Sequence, residues 1–263
     1  MQKSDPQSGE KQSLKIRNRI LITGASSGLG RGMALEFARA GHDLALCARR
    51  VERLEELREK LKIIAPDIKV EIRKLDVNQY DEVFKVFDAF KTSFGGLDRI
   101  IINAGIGKGA SIGTGYFHAN KLTAETNFVA VLAQAEAAME IFREQNAGHL
   151  VFISSISAVR GFRRAMTVYA ATKAAVSSLA EGISIDVGNT PIKVSCIHPG
   201  FIRSEINEKV EKVPFIVSTE KGCRSLVKAI QRERKASYAP FWPWGLMHWF
   251  IRIAPQSVLA KMS

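Results

Sequence analysis

The sequence has few of the features that mark secreted, metal-binding or membrane-spanning proteins. Only three cysteines occur among 263 residues, and Cys47, Cys196 and Cys223 match no disulfide framework or metal motif. We therefore predict reduced thiols, a cytoplasmic location and no metal site. No apolar run reaches the roughly 18 residues that a membrane-spanning helix needs. Residues 1–15 are polar, so we expect a disordered tail there rather than a signal peptide.

Acidic residues are also scarce. The chain has 26 acidic and 38 basic residues, and its formal net charge is +12. Such an excess can attract nucleic acid, anionic lipid or an acidic carrier protein. Because no long basic tract or nucleic-acid module is present, the charge favours a basic enzyme that binds a phosphorylated cofactor, without a nucleic-acid partner.

What the sequence does contain is a regular alternation of short apolar runs with amphipathic stretches. This alternation predicts an α/β fold, with a doubly wound, mainly parallel seven-stranded sheet flanked by helices. No linker or repeat interrupts residues 16–240, which we predict to be one domain. The predicted strands are Arg19–Thr23, Asp43–Cys47, Val70–Leu75, Arg99–Ile102, His149–Ile153, Ile192–Ile197 and Ala236–Pro240; the predicted helices are Leu29–Ala40, a stretch around Leu54–Leu61, Val83–Phe94, Thr123–Gln145 and Thr167–Val187.

A glycine-rich loop follows the first predicted strand and opens the first predicted helix. Gly24 permits a tight turn, Gly28 lets the backbone approach a pyrophosphate, and Gly30 allows close helix packing. The phosphates would lie at the helix N-terminus, where amides and the helix dipole favour anions. The loop therefore predicts a Rossmann-type dinucleotide site, with contacts from Gly24, Ser26, Ser27, Gly28, Leu29 and Gly30.

The end of the second strand bears on the choice of dinucleotide. An acidic residue there would accept hydrogen bonds from the ribose of NAD. The chain has Ala48 at that place, followed by Arg49 and Arg50. Because a guanidinium matches a 2′-phosphate, the two arginines predict NADP (NADPH) as the cofactor. The alternative is that both arginines simply begin a solvated helix.

Tyr169 and Lys173 are four residues apart, so they share one face of a helical turn. A neighbouring ammonium favours the phenolate, and we expect Lys173 to lower the pKa of Tyr169. Ser155 precedes the tyrosine by 14 residues, beyond a buried strand. Together with the glycine loop, this arrangement predicts hydride transfer to or from a carbonyl.

These motifs resemble those of the short-chain dehydrogenase/reductase family over roughly Arg17 to Ala236. The glycine loop matches the family's T-G-x-x-x-G-x-G, and Tyr169 with Lys173 matches its Y-x-x-x-K. Asn103, Ala104 and Gly105 match the last three residues of the family's N-N-A-G motif, and this chain has Ile102 where the family has the first asparagine. The resemblance implies cofactor contacts at Asp76, Val77, Asn103, Ala104, Gly105, Tyr169, Lys173, Pro199, Gly200 and Ile202.

The resemblance also implies roles for four catalytic residues. Tyr169 would be the general acid, Ser155 would hold the carbonyl oxygen, and Lys173 would bond the nicotinamide ribose. Asn127 would lie where a bound water links Lys173 to solvent. The family's serine usually precedes its tyrosine by about thirteen residues, so Ser154 and Ser157 are also near this position. We expect these two serines to cap or to hydrogen-bond the local backbone.

The predicted function is reduction of an apolar aldehyde or ketone, or oxidation of the matching alcohol, with NADP(H). Two alternatives are a 3-oxoacyl-ACP/CoA reductase and a non-catalytic dinucleotide-sensing protein. The cluster Arg160, Arg163 and Arg164 could receive an anionic substrate or form a solvated turn, and we favour the turn. The substrate loops are expected at 107–122, 162–166 and 201–217, with apolar residues Phe162, Phe201, Ile202, Val213, Phe215 and Ile216.

Residues 241–263 form an extension that contains all three tryptophans of the chain. Tryptophan beside Arg252 and Lys261 is typical of an interfacial amphipathic element, so weak contact with a membrane surface is one interpretation. We favour the other, in which the extension folds over the substrate mouth or a neighbouring subunit. The family resemblance further implies a homodimer or homotetramer, built through helices near Asn127 and Tyr169.

Overall fold

The computed structural model describes residues 17–205 and 215–262. Seven strands form one sheet in the order β3-β2-β1-β4-β5-β6-β7, and every pairing is parallel. The fold confirms the predicted doubly wound sheet. The predicted tail at residues 1–15 lies outside the described residues. The strands are β1 (Arg19–Thr23), β2 (Asp43–Ala48), β3 (Val70–Lys74), β4 (Arg99–Ile102), β5 (Gly148–Ile153), β6 (Ile192–Pro199) and β7 (Ala236–Ala239).

The helices cover both faces of this sheet. A π-helical turn at Glu125–Val129 joins α4 to α5, so the predicted helix Thr123–Gln145 is interrupted there. A short 3₁₀ helix, Ile156–Val159, follows β5. The α-helices are α1 (Gly28–Arg39), α2 (Val51–Ile64), α3 (Tyr80–Phe94), α4 (Phe117–Ala124), α5 (Ala130–Gln145), α6 (Met166–Asp186), α7 (Thr219–Gln231), α8 (Phe241–Ile253) and α9 (Gln256–Met262).

Each face of the sheet has its own apolar core. One core joins strand residues such as Leu21 and Phe152 to α3, α5 and α6, where Phe87 and Phe142 are fully buried. The other joins residues such as Ile22 to α1, α2 and α7, through Phe37 and Leu226. Alternate strand residues face opposite cores, as the twofold period of a strand requires.

A third, smaller core lies beyond the sheet. Trp244, Ile251 and Leu259 of α8 and α9 pack with Ile156 of the 3₁₀ helix. The extension is therefore helical and folded against the segment that follows β5. No helix among residues 17–205 and 215–262 is long and apolar enough to cross a membrane.

The strand order places the functional crevice. From the central β1, the chain runs outward through β2 and β3, then returns to place β4 on the other side of β1. The loops after β1 and β4 therefore diverge at the carboxyl edge of the sheet. Ligands of doubly wound sheets bind at such a switch point.

Candidate active site

The glycine loop lies at the carboxyl end of β1 in a conformation that side chains would not permit. Gly24 and Gly28 have φ values of +66° and +51°. A Cβ atom on Gly24 would lie 2.9 Å from Ala104 Cα, and one on Gly30 would lie 2.4 Å from Gly24 O. The loop therefore packs backbone against backbone, as the glycine spacing predicts.

The segment after β4 is bound to this loop. Thr23 Oγ1 accepts hydrogen bonds from the backbone N–H groups of Asn103 and Ala104, both at 3.1 Å. The Asn103 amide donates in turn to Thr23 O at 2.9 Å. These bonds hold the two sides of the crevice at a set distance.

The start of α1 fits the phosphates of a dinucleotide. Ser27 is the N-cap residue, but its side chain makes no capping hydrogen bond and the first turn contains no acidic residue. The first backbone N–H groups of a helix have no intrahelical acceptor and carry the positive end of its dipole. A pyrophosphate at this end would meet those donors, and Gly28 keeps the approach open.

An ion-pair cluster borders the glycine loop. Arg50 Nη2 donates to Ser27 Oγ at 2.7 Å and to a Glu205 carboxylate oxygen at 3.0 Å, and Arg53 pairs with the same carboxylate. Burial acts to raise the pKa of Glu205, but the hydrogen bonds from both arginines outweigh it and hold that pKa below its ordinary value. Arg49 is exposed beside the cluster and has no side-chain partner among the described residues.

The residues after β3 tie this side of the crevice to the middle of the chain. Asp76 accepts a hydrogen bond from the Asn78 backbone N–H at 3.1 Å, and the Asn78 amide donates to Thr126 Oγ1 at 3.1 Å. The Val77 side chain is buried in the core. Asp76 therefore shapes the turn after β3, and Asn78 connects this turn to the π-helical turn.

Asn127 lies within that π-helical turn and is fully buried. Its Oδ1 accepts from Ile106 N and its Nδ2 donates to Ile106 O, both at 2.8 Å. A Cβ on Gly105 would lie 3.1 Å from Asn127 Oδ1 and 3.7 Å from Lys173 Nζ. The asparagine thus holds the loop segment at Gly105 and Ile106 beside the lysine.

Tyr169 and Lys173 lie on α6, facing the end of β5. The buried Lys173 Nζ donates to Ile153 O at 2.8 Å and lies 5.8 Å from the centroid of the Tyr169 ring. Burial lowers the pKa of Lys173 to about 8. Ser155, just beyond β5, has its side chain near enough to the phenol to lower the pKa of Tyr169. The structure therefore brings the serine, tyrosine and lysine together.

The expected lowering of the Tyr169 pKa is wrong. Burial raises this pKa, and the Ser155 side chain lowers it by less. The Lys173 ammonium is directed to a backbone carbonyl, so it does not offset the loss of solvent around the phenol. Tyr169 is therefore a protonated phenol at neutral pH.

The serines around position 155 have different roles. Ser154 Oγ donates to Lys173 O at 2.9 Å, which attaches β5 to α6. We expected Ser157 to bond the local backbone, but its hydroxyl donates to Ser155 Oγ at 2.9 Å. Its backbone N–H donates to the same atom at 3.1 Å. Ser155 Oγ thus accepts two bonds, which leaves its own proton for donation.

The Pro-Gly pair after β6 meets the extension. A Cβ on Gly200 would lie 2.1 Å from the Trp244 ring, so the indole rests directly on the Gly200 backbone. Phe201 contacts the same ring edge-on at 5.3 Å between centroids. Ile202 turns into the core, against Gly222 of α7. Its side chain therefore does not face the crevice. The predicted pocket residue Val213 lies outside the described residues.

The arginine cluster near the serine is neither purely solvated nor a ready anion site. Arg160 Nη1 donates to Arg252 O at 2.7 Å and to Ala254 O at 3.4 Å, and so satisfies carbonyls at the end of α8. Arg163 and Arg164 are exposed. Arg160 therefore holds the extension on the segment after Ser155.

A cavity of about 360 Å³ lies between the loop at residues 111–117, α4 and Val168, the neighbour of Tyr169. Ile112, Tyr116 and Phe117 contribute apolar surface to it. The Asn120 side chain holds the loop by bonding both the N–H and the carbonyl of Ala110. The predicted substrate loop 107–122 therefore borders an apolar cavity beside α6.

Sequence reasoning missed several residues of this region. Glu205 lies 155 residues from Arg50, and no local pattern connects them. Trp244 was recognised as unusual, but its contact with Gly200 depends on how the extension folds back. Ser157 did carry a signal, because its position two residues after Ser155 allows contact between hydroxyl groups.

Comparison with known proteins agrees with this geometry. The short chain dehydrogenase family model matches residues 18–214. An uncharacterized oxidoreductase of Mycobacterium tuberculosis is 49 % identical over 228 residues, which are 87 % of this chain and 90 % of that protein. The 11-beta-hydroxysteroid dehydrogenase 1A of Arabidopsis thaliana is 32 % identical over 242 residues, 85 % of this chain and 68 % of that protein.

Among solved structures, levodione reductase has the same fold, with a TM-score of 0.76 at 24 % identity. The match covers 85 % of this chain and 96 % of that chain. The family model and the relatives extend over most of the domain that holds the glycine loop, Ser155, Tyr169 and Lys173. The chain therefore belongs to the short-chain dehydrogenase/reductase family of oxidoreductases.

Proposed function

We propose that this protein reduces an apolar aldehyde or ketone with NADPH, or oxidises the matching alcohol with NADP. The observation that carries the proposal is the meeting of Ser155, Tyr169 and Lys173 beside a crevice shaped for a dinucleotide. All three groups are present, which opposes a purely sensing role on the same fold.

The roles of the residues follow from their protonation and contacts. NADPH, when bound, would supply the hydride. The protonated Tyr169 donates its proton to the carbonyl oxygen as charge develops there. Ser155 donates a second hydrogen bond to that oxygen, since its acceptor sites already receive bonds from Ser157. Two donors aimed at a developing oxyanion are a large catalytic contribution.

Lys173 supports the tyrosine during this step. Its ammonium lies 5.8 Å from the phenol ring centroid and stabilises the phenolate that forms when Tyr169 gives up its proton. Asn127 holds the backbone at Ile106 beside Lys173, where a water can connect the ammonium to solvent. Through this water, Lys173 and Asn127 allow the Tyr169 phenolate to regain a proton from solvent after each turnover.

The preference for NADP is supported by the arginines after β2. Arg49 is exposed at the end of the strand, and Arg50 reaches Ser27 of the glycine loop. A 2′-phosphate at this place would be met by two guanidinium groups, whereas Ala48 offers no acceptor for a ribose hydroxyl.

The class of substrate is supported by the cavity beside Val168, which is lined mostly by apolar groups. The Arabidopsis relative is named for an 11-beta-hydroxysteroid, which is an apolar secondary alcohol. A 3-oxoacyl group on an acidic carrier has less support, because Arg160 is engaged with the end of α8.

We further propose a homodimer or homotetramer built through α5 and α6. Val129, Leu132 and Ile185 are exposed apolar residues on or next to these helices, and such groups favour association. A cytoplasmic location is supported by Cys47, Cys196 and Cys223, which are buried and unpaired thiols.

The test combines binding and turnover. The purified chain is titrated with NADPH and NADH, and then assayed against apolar aldehydes, apolar ketones and 3-oxoacyl thioesters. We expect turnover of an apolar carbonyl with NADPH. Tyr169→Phe should reduce turnover by about a thousandfold, since it removes the general acid, and should leave the NADPH dissociation constant within about twofold. Substantial activity in this variant would exclude Tyr169 as the acid, and binding without turnover of any compound would favour a sensor.

A further inference from the structure

Exposed apolar side chains lie along the outer side of α8 and at its kinked first turn, where Trp242 has non-helical backbone angles; together they are here called the aromatic stripe. Trp242 is 71 % exposed, Trp249 63 % and Ile253 78 %. Positions 246, 249, 250 and 253 follow the i, i+3, i+4, i+7 spacing of one helical face. The members of the stripe are Phe241, Trp242, Leu246, Trp249, Phe250 and Ile253.

The stripe concentrates large exposed apolar groups in one short segment. Its six residues are each between 47 % and 78 % exposed. The largest patch on a typical monomer is about 300–600 Å² and often has a function. We therefore expect this surface to bind a partner or a membrane.

The opposite face of α8 is bound to the catalytic domain, so the stripe is held in a set position. Trp244, only 2 % exposed, rests on Gly200, and Ile251 packs with the 3₁₀ helix after Ser155. Arg160 bonds the carbonyls at the end of the helix. The stripe thus faces outward from the side of the molecule that borders the catalytic serine.

The charged side chains of the extension, Arg252 and Lys261, are both basic. Arg252 is exposed, and its guanidinium lies 6.0 Å from the centroid of the Trp249 ring. Arg163 and Arg164 are exposed on the loop between the 3₁₀ helix and α6. The sequence contains no aspartate or glutamate at positions 145–180 or 234–263. Arg252 therefore borders the stripe, and neither segment contributes a carboxylate side chain.

We propose that the aromatic stripe rests on an anionic membrane surface, with α8 lying in the plane of the interface. Tryptophan and phenylalanine partition into the boundary between headgroups and acyl chains, and nearby arginines are attracted to anionic headgroups. A second copy of the chain is a poorer occupant. A twofold contact through the stripe would bring Arg252 towards the partner's cations, with no acidic residue in the extension to pair with them. This inference does not depend on the proposed reaction.

The test measures binding of the full chain to lipid vesicles, without substrate or cofactor. One set of vesicles is phosphatidylcholine alone, and the other contains one third phosphatidylglycerol. We expect the protein to sediment with the anionic vesicles and its tryptophan emission to shift to the blue. Partitioning into anionic vesicles should exceed that into neutral vesicles by about tenfold, because the flanking arginines add electrostatic attraction.

A double variant, Trp249→Gln with Ile253→Gln, removes apolar surface from the stripe without touching the buried face of α8. It should reduce partitioning by about tenfold or more. The control is Ile63→Gln, which removes an 84 % exposed isoleucine from α2 and should bind vesicles like the original chain. Unchanged circular dichroism and melting temperature verify that both variants are folded.

Three results would overturn the proposal. The first is no binding of the original chain to anionic vesicles, and the second is equal binding by the double variant. The third is an oligomer, seen by sedimentation, that the double variant loses while neither protein binds lipid; the stripe would then be an interface between copies. Because no turnover is measured, these results are independent of the proposed enzyme activity.

Discussion

The two halves of the active-site crevice are built in different ways. The cofactor half consists of short runs at the ends of β1 and β4, joined by hydrogen bonds such as those from Asn103 and Ala104 to Thr23 Oγ1. The half that we assign to the substrate depends instead on how the helical extension packs against the segment after β5. Arg160 bonds the end of α8, 92 residues away, and Trp244 covers Gly200.

This difference explains why the cofactor half is easier to predict from the sequence than the other half. A tight backbone approach requires glycine at particular positions, and a polar clamp requires particular donors and acceptors. The third core, around Trp244 and Ile251, requires only that apolar groups fill the space. Such a surface places fewer demands on the identity of each residue.

Substitution of Trp244 should give the largest difference between the effect on carbonyl turnover and the effect on NADPH binding. Trp244→Ala should cost about 3–5 kcal/mol of packing, because it empties the centre of the third core. We expect the extension to detach, carbonyl turnover to fall by about a hundredfold or more, and the NADPH dissociation constant to change by less than about threefold. Limited proteolysis, fluorescence titration and steady-state kinetics measure these effects.

The matched control is Trp242→Ala, which removes a 71 % exposed indole from the same segment. It should leave proteolysis and turnover unchanged. If Trp244→Ala instead abolishes NADPH binding, the two halves do not fold independently and the comparison fails.

Charge reversal at Arg49 acts on the cofactor half alone. Arg49→Asp should raise the Michaelis constant for NADPH by about 10–100-fold, since a hydrogen bond to a charged group is worth about 1.5–3 kcal/mol. The Michaelis constant for NADH should change little. Initial rates with both cofactors give the ratio, and Lys60→Asp, on the exposed side of α2, serves as the control. An equal change for both cofactors would place the phosphate elsewhere.

The smallest expected effect comes from Ser157, which acts through Ser155. Ser157→Ala removes a 2.9 Å hydrogen bond to Ser155 Oγ. A bond of this kind is worth about 1 kcal/mol, so kcat should fall about fivefold. The Michaelis constants should stay constant, and Ser157→Thr should restore kcat because it keeps the hydroxyl. A change in Michaelis constants with unchanged kcat would show that Ser157 shapes the binding pocket rather than the serine.

Much of the fold could be predicted from the sequence. Arg19–Thr23 and Arg99–Ile102 have the same bounds in the prediction and in the structure, because each is a buried apolar run bounded by polar or glycine residues. Helix α7 was not predicted, although Cys223, Leu226 and Ile230 form a clear apolar face. The break at Glu125–Val129 could not be seen, since it depends on the buried Asn127 side chain and its bonds to Ile106.

For the candidate site, the sequence predicted which side chains lie near one another better than it predicted their pKa values. Tyr169 and Lys173 share a helical face, as the spacing required. The direction of the tyrosine's pKa shift was wrong, because the sequence does not reveal that Lys173 Nζ bonds Ile153 O or that the phenol is partly buried. The sequence also did not reveal that the Ile202 side chain packs in the core against α7; its predicted contact with the cofactor stays a prediction.

The sequence by itself determined the parallel sheet, the glycine loop and the spacing of tyrosine and lysine, because these depend on backbone geometry and local periodicity. Only the tertiary structure decided which side of α8 is buried, that Glu205 pairs with Arg50, and that desolvation governs the Tyr169 phenol. Burial and ion pairing arise between residues distant in the chain, and no pattern of neighbours encodes them. The aromatic stripe is exposed for the same reason, because α8 packs against the domain through Trp244 and Ile251 and its other side remains in solvent.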